Sequence, residues 1–213
     1  MEVGIGLPAT IPGVTRDDLL ESVRRADATG FSSLAVIDRL VYPNHEPLIA
    51  LAAAAAVTER IRLMTDILIL PYRVNAALVA KQALTVHSVS GRRLVLGVAV
   101  GLRPDDFEAS GVPLEGRGER FEEMLAEIRA VWAGEKRGFA GAIGPPPPDG
   151  PPELLIGGRV EATFRRAARF GDGWTMGGGT PDQFAESVEK LAPRGGRPAG
   201  TASRAPWLSP TSR

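Results

Sequence analysis

The chain has 213 residues, 44% of them hydrophobic and 23% charged, and its 25 Lys and Arg balance 25 Asp and Glu. This is ordinary composition for one globular domain with a single core, and it excludes a bulk electrostatic pull toward nucleic acid or an anionic membrane. With no cysteine, it also excludes disulfides, thiolate metal sites and thiol nucleophiles.

Short apolar runs alternate with helical periods, the pattern of βα units on a parallel sheet. Val3 to Leu7 reads as a strand ended by Pro8, with no signal-peptide leader before it. Thr15 then caps a helix with Asp17 and Asp18 in its first turn, Leu19, Val23 and Ala26 on one face, and Gly30 at the C′ position. Leu34 to Ile37 reads as a buried strand ending on Asp38, and a helix follows over roughly 46–58. Its run Leu48 to Val57 is alanine-rich and too short to span a bilayer, so a soluble cytoplasmic protein is expected. Ile61 to Leu70 is the third strand, stopped by Pro71; Ala76 to Val89 is the third helix, and Leu94 to Val100 the fourth strand. The fourth helix carries Phe121, Met124, Leu125, Ile128, Val131 and Trp132 at helical spacing, with Gly134 just past its end. Gly138 to Pro152 reads as a long Gly/Pro surface loop. Leu154 to Ile156, then Ala162 to Phe170 ended by Gly171, form a fifth unit. Trp174 to Met176 and a helix opened by Thr180-Pro181, with Phe184, Val188 and Leu191 on its apolar face, form a sixth.

Six βα units over residues 1–192 match the pace of a (β/α)₈ barrel of about 250 residues in eight units. The fold class expected is therefore α/β, an incomplete TIM-type barrel. A doubly wound open sheet is the alternative, but Gly4-Ile5-Gly6-Leu7-Pro8 lies inside the strand and lacks the dinucleotide-binding spacing. Residues 193–213 hold four prolines, three glycines, four arginines and no acid, so they cannot supply two further parallel strands. They read either as a disordered tail or as a truncated or frame-shifted end.

In such a barrel, ligands bind on the loops at the C-terminal ends of the strands. Ile156 to Thr163 is the best anion-site candidate there. Gly157 and Gly158 let the backbone approach a ligand, the helix start after Val160 faces it, and Arg159 and Thr163 offer a charge and a hydroxyl. Met176, Gly177 and Gly178 repeat the logic one strand later. Asp38 could orient substrate or move a proton, or could simply pair with Arg39 or cap a helix. Asp66, within an apolar strand, needs a partner or the open mouth of the barrel. Of the two histidines, His45 lies near the mouth and His87 within a helix. No His, Asp or Glu spacing suggests a metal site, and no serine sits in a nucleophile elbow.

Several segments together carry a family resemblance. Leu70-Pro71-Tyr72-Arg73-Val74-Asn75 with Ala80-Lys81-Gln82-Ala83, and Ser90-Gly91-Arg92-Arg93 running to Gly101, resemble the third and fourth units of the luciferase-like monooxygenases. So do Asp106-Phe107-Glu108, Gly111, Arg117 to Trp132, Leu155-Ile156-Gly157-Gly158 and Gly171-Asp172-Gly173-Trp174. The resemblance implies an oxidoreductase that binds FMN or the deazaflavin F420 at the strand C-termini, usually as a homodimer, and acts on a small organic substrate. It places the phosphate site on Gly158, Arg159, Val160 and Thr163 and the ring support on Asp66 and Ile67, and the strand-end positions add Leu68, Val98, Val100, Gly157, Met176, Gly177 and Gly178 as cofactor contacts. The third-strand bulge at Asp66-Ile67, where members often hold a non-proline cis bond, would support the ring. Asp38 and Arg39 match the catalytic position, with Arg39 where members commonly carry histidine. A non-catalytic, truncated flavin-binding-like protein is the competing expectation.

Overall fold

The computed structural model describes residues 2–146 and 150–191. Its parallel strands are β1 (Gly4–Gly6), β2 (Ser33–Val36), β3 (Arg62–Ile69) and β4 (Leu94–Ala99), continued after a short hairpin by β7 (Glu153–Gly157) and β8 (Gly173–Thr175). The hairpin strands β5 (Arg137–Gly138) and β6 (Gly141–Ala142) are antiparallel and stand within the expected Gly/Pro loop. The six parallel strands lie in the order β1-β2-β3-β4-β7-β8 and form a curled half-barrel. The register runs straight across: Ile5 faces Leu34, Leu34 faces Leu63, and Leu63 faces Leu94. Among the described residues, β1 and β8 each pair on one side only. The Pro/Gly/Arg-rich segment from Pro193 onward lies outside the described residues.

The helices are α1 (Arg16–Ala28), α2 (Pro47–Ala55), α3 (Ala76–Val89), α4 (Pro104–Ser110), α5 (Arg117–Trp132), α6 (Glu161–Phe170) and α7 (Pro181–Leu191). Local chemistry explains their starts. Thr15 and Asp18 form a reciprocal capping box at α1. The Glu46 carboxylate accepts from the Ile49 amide at 2.8 Å, and the Asn75 side chain caps α3. Gly134 takes a left-handed φ of 74° after α5, whereas Gly30 follows the extended Thr29 without one, so the C′ glycine expected after α1 ends the helix by a different turn. The helix at α4 was not expected. Its proline at the first turn, followed by Asp105 and Asp106, is a start signal on a segment of only seven residues.

The core fills the space between the outer face of the sheet and the helices. Leu34, Leu63, Leu96, Leu154 and Ile156 pack there with Leu51, Ala83, Leu125, Ile128 and Phe164, each at most 2% exposed. Burying one such side chain is worth roughly 1.5–3 kcal/mol. Arg93 ties the bottom of this layer: buried, it donates to the carbonyls of Ser90, Ile61 and Thr58 and to the Thr58 hydroxyl. The concave face carries the other half of each strand, including Ser33, Met64 and an ion pair between Arg62 and Glu153. Because all six strands run the same way, their C-terminal ends share one rim.

Candidate functional site

The rim holds a cavity of about 400 Å³, within the range of small-molecule sites. Its shape begins with an irregularity in β3. Pairing to β4 slips between Thr65 and Leu68, and the Asp66–Ile67 peptide is cis. The slip breaks the in-out alternation, so the consecutive side chains of Asp66 and Ile67 are both half-buried and both line the cavity. Two glycines make room for this. A Cβ on Gly97 would stand 2.2 Å from the Thr65 carbonyl oxygen, and one on Gly157 would stand 2.0 Å from Ile67 Cδ1. The Thr65 hydroxyl, fully buried, donates to the Gly97 carbonyl at 2.7 Å and pins the bulge to β4.

Asp66 accepts from the Thr175 hydroxyl at 3.1 Å and has no ion pair among the described residues. Burial raises its pKa above the usual carboxylate range, and the Thr175 hydrogen bond opposes only part of that. Asp38 is held differently. Its Oδ2 accepts from the Ile69 amide at 2.8 Å and from Arg73 at 3.0 Å, and Arg73 also reaches Glu46 at 2.9 Å. Arg39 is bound through Nε to Asp106 at 2.7 Å and through Nη2 to Asp105 at 3.0 Å. Asp106 also accepts from the amides of Leu40 and Val41, so α4 clamps the loop after β2. Burial works against the Arg39 charge, but Asp106 and Asp105 outweigh it and raise its pKa. A guanidinium so held contributes charge and shape rather than a transferable proton.

The turn after β7 forms another wall. Gly158 adopts a φ of 129°, its amide donates to the Thr175 carbonyl at 3.1 Å, and its carbonyl accepts from Trp174 Nε1 at 2.6 Å. α6 begins three residues later with no side-chain cap, which leaves its positive end for an anion. Thr163 is buried and packs against Gly158; a Cβ there would lie 2.7 Å from the Thr163 hydroxyl oxygen. Arg159 is exposed and donates to Gln183 at 3.2 Å.

Of the residues named from sequence, Asp38, Arg39, Asp66, Ile67, Gly157, Gly158, Met176 and Gly177 line the cavity. Leu68 and Val98 do not: both are fully buried on the helix side of the sheet. Val100 packs against the core, while Arg159, Val160 and Gly178 lie outside the lining. Gly101, Leu102 and Arg103, in the segment after β4 that sequence reasoning places at the strand ends, also line the cavity, as do Asp106 and Phe107 of α4, which it missed. The Arg103-Pro104-Asp105-Asp106 helix start was the signal that would have found them. His45 is exposed, with Nδ1 3.4 Å from the Ala9 carbonyl, and His87 is buried in α3. Among the described residues no group of His, Asp and Glu is placed to hold a metal ion, and no helix is long and apolar enough to cross a membrane.

The family description "Luciferase-like monooxygenase" matches residues 1–210. The chain belongs to the luciferase-like monooxygenase family. This luciferase-like chain is 34% identical over 197 residues to an uncharacterised protein of Mycobacterium tuberculosis, with 79% of the chain and 68% of that relative covered. It is 32% identical over 186 residues to the F420-dependent glucose-6-phosphate dehydrogenase of Beutenbergia cavernae, covering 80% of the chain and 55% of the dehydrogenase. Among solved structures, monooxygenase RslO1 of Streptomyces bottropensis superposes with a TM-score of 0.75 at 24% identity, covering 93% of the chain and 68% of the enzyme. The oxygenating constituent of 3,6-diketocamphane monooxygenase from Pseudomonas putida, in complex with FMN, gives 0.72 at 20% identity, covering 93% of the chain and 64% of the enzyme. These structures share the luciferase-like barrel fold with this chain.

Proposed function

We propose that the protein binds a flavin or deazaflavin, FMN or F420, in the rim cavity and acts as an oxidoreductase or monooxygenase on a small organic substrate. The observation that carries this reading is the glycine-built slot over the β3 bulge. Ile67, Ile69 and Ala99 offer an apolar floor for a planar ring, and Gly101, Gly157, Gly158 and Gly177 let backbone approach it. At one end stands the uncapped start of α6, suited to an anionic tail. The residues therefore fit the group that luciferase-like relatives are named for.

When bound, such a cofactor supplies hydride transfer or, for a flavin, activation of O₂. The chain's own residues do the rest. Gly157, Gly158 and the α6 start hold the anionic tail, with Arg159 at the edge. Leu102, Phe107 and Met176 exclude water from the ring. Asp66 presents a carboxyl that can hold a proton on Oδ2, whereas Asp38 and Arg39, each locked in ion pairs, fix the substrate side of the slot. The homodimer carried by the resemblance belongs to this same reading and is measurable by light scattering.

Fluorescence titration of the purified protein with FMN and with F420 tests the proposal. Saturable binding of one of them below about 100 μM is expected, equivalent to about 5–6 kcal/mol. If neither binds below roughly millimolar concentration, the reading fails.

A further inference from the structure

The floor of the rim cavity carries a carboxyl that the fold leaves half satisfied. Asp66 and Ile67 stand side by side on the bulge, and both line the cavity. Asp66 Oδ1 accepts from the Thr175 hydroxyl, while Oδ2 has no partner among the described residues. That second oxygen is not sealed away; it stays open to the cavity, where a bound molecule can reach it. The other acids lining the cavity already have their cations. Asp38 is paired with Arg73, which also holds Glu46, and Asp106 is paired with Arg39, which also holds Asp105. Arg103, at the start of α4, is exposed and has no ion pair among the described residues. The β7 and β8 ends bring only uncharged residues to the cavity, Glu153 at the far end of β7 pairs with Arg62, and α2, packed behind β3, carries no charge. None of these charges offsets the burial that raises the Asp66 pKa; only the Thr175 hydrogen bond opposes it.

A planar ring laid in the slot covers Asp66 Oδ2 and takes away its remaining water. A carboxylate so covered, with no counter-charge, is strongly disfavoured, and the anionic tail of either cofactor disfavours it further. A proton on Oδ2 removes the charge and turns that oxygen into a donor for an acceptor on the ring. We propose, on the cofactor reading of the rim cavity, that Asp66 is a proton-linked recognition residue: the slot takes its cofactor with Asp66 neutral, and binding draws a proton from solvent onto Oδ2. The direction of the linkage follows from which form binds. Affinity is full where the unliganded Asp66 is protonated and falls as pH rises through its titration, by at most about tenfold per pH unit. Neither the bulge nor the glycines would impose such a dependence.

Fluorescence titration of the full chain with FMN and with F420, from about pH 5 to about pH 8, reads the linkage in wild type and in Asp66→Asn. Titration calorimetry in two buffers of different ionisation enthalpy counts the protons taken up. The cofactor's own ionisations are common to both proteins and cancel in the comparison. Relative to Asp66→Asn, wild type is expected to lose at least about three- to tenfold in affinity across this range and to take up as much as about one more proton. Thr175→Val keeps the carboxyl but removes the hydrogen bond that favours its charged form, so its fall in affinity should begin at higher pH than in wild type. This second variant carries the test if Asp66→Asn fails to fold. Parallel pH profiles in wild type and Asp66→Asn, with equal proton counts, would overturn the linkage and leave the cofactor reading standing. A Thr175→Val profile that coincides with wild type would overturn it too. So would an affinity that rises with pH and is lost in Asp66→Asn, since the carboxylate would then be holding a cation. If neither cofactor binds at any pH, the cofactor reading fails and the linkage with it.

Discussion

Removing Arg73 is the most informative perturbation of the rim. The Asp38 side chain is only 2% exposed and Arg73 15%, so their 3.0 Å ion pair is a buried one. In Arg73→Met the Asp38 carboxylate keeps the Ile69 amide at 2.8 Å as a donor but loses its counter-charge. Breaking one side of a buried pair costs about 3–5 kcal/mol, because the remaining charge is left unpaired. For a chain of 213 residues that corresponds to a fall in Tm of roughly 6–20 °C. Asp38→Asn should cost less, about 1–2 kcal/mol, since Arg73 retains Glu46 at 2.9 Å. The double variant Asp38→Asn/Arg73→Met should recover much of the loss, giving a coupling of about 1–3 kcal/mol. Urea unfolding followed by fluorescence of the fully buried Trp174 measures all three. An Arg73→Met cost below about 1 kcal/mol, or strict additivity in the double variant, would refute a buried pair at this position.

Three further outcomes follow from the same geometry. Gly97→Ala puts a methyl 2.2 Å from the Thr65 carbonyl oxygen, where only backbone can yield, so urea titration should show a loss of about 2–3 kcal/mol or more. Gly158→Ala combines a φ of 129° with a contact 2.7 Å from the Thr163 hydroxyl; cofactor affinity should drop at least about tenfold by fluorescence, more than stability does. Asp66 supplies a pH test. Its pKa is raised on folding, so the folded state binds the extra proton; the penalty is absent below the unfolded value near 3.8 and grows as pH rises through the folded value. Asp66→Asn should therefore raise Tm at pH 7, with the gain shrinking to nothing below about pH 4. A gain that stays constant with pH would show that Asp66 ionises as freely folded as unfolded.

Elements whose determinants are local were legible in the sequence. α3 has the bounds Ala76–Val89 that its period suggests, because Asn75 caps one end and the Ser90-Gly91 turn closes the other. α5 gained its first turn, Arg117 to Arg120, because that turn is polar and carries no apolar stripe to read. α4 was overlooked because seven residues hold less than two full helical periods. In the site, the bulge and cis bond at Asp66–Ile67 came from the family resemblance; no propensity reveals two consecutive side chains on one face. Arg39 was visible as a rim residue, but its partners Asp105 and Asp106 lie 66 and 67 residues away, a distance no spacing rule crosses. Thr163 looked like a phosphate ligand because it sits one turn into a helix, yet packing against Gly158 turns it inward. Leu68 and Val98 followed the strand ends into the expected site, and the alternation beyond the bulge sends both to the core.

The central claim is that the slot over the β3 bulge holds the cofactor. A crystal structure of the protein with the tighter-binding of FMN and F420 tests it most directly. The ring should lie against Ile67 and Ala99 with its anionic tail at Gly157, Gly158 and the start of α6. A ring bound elsewhere, or a tail pointing away from α6, would contradict the account.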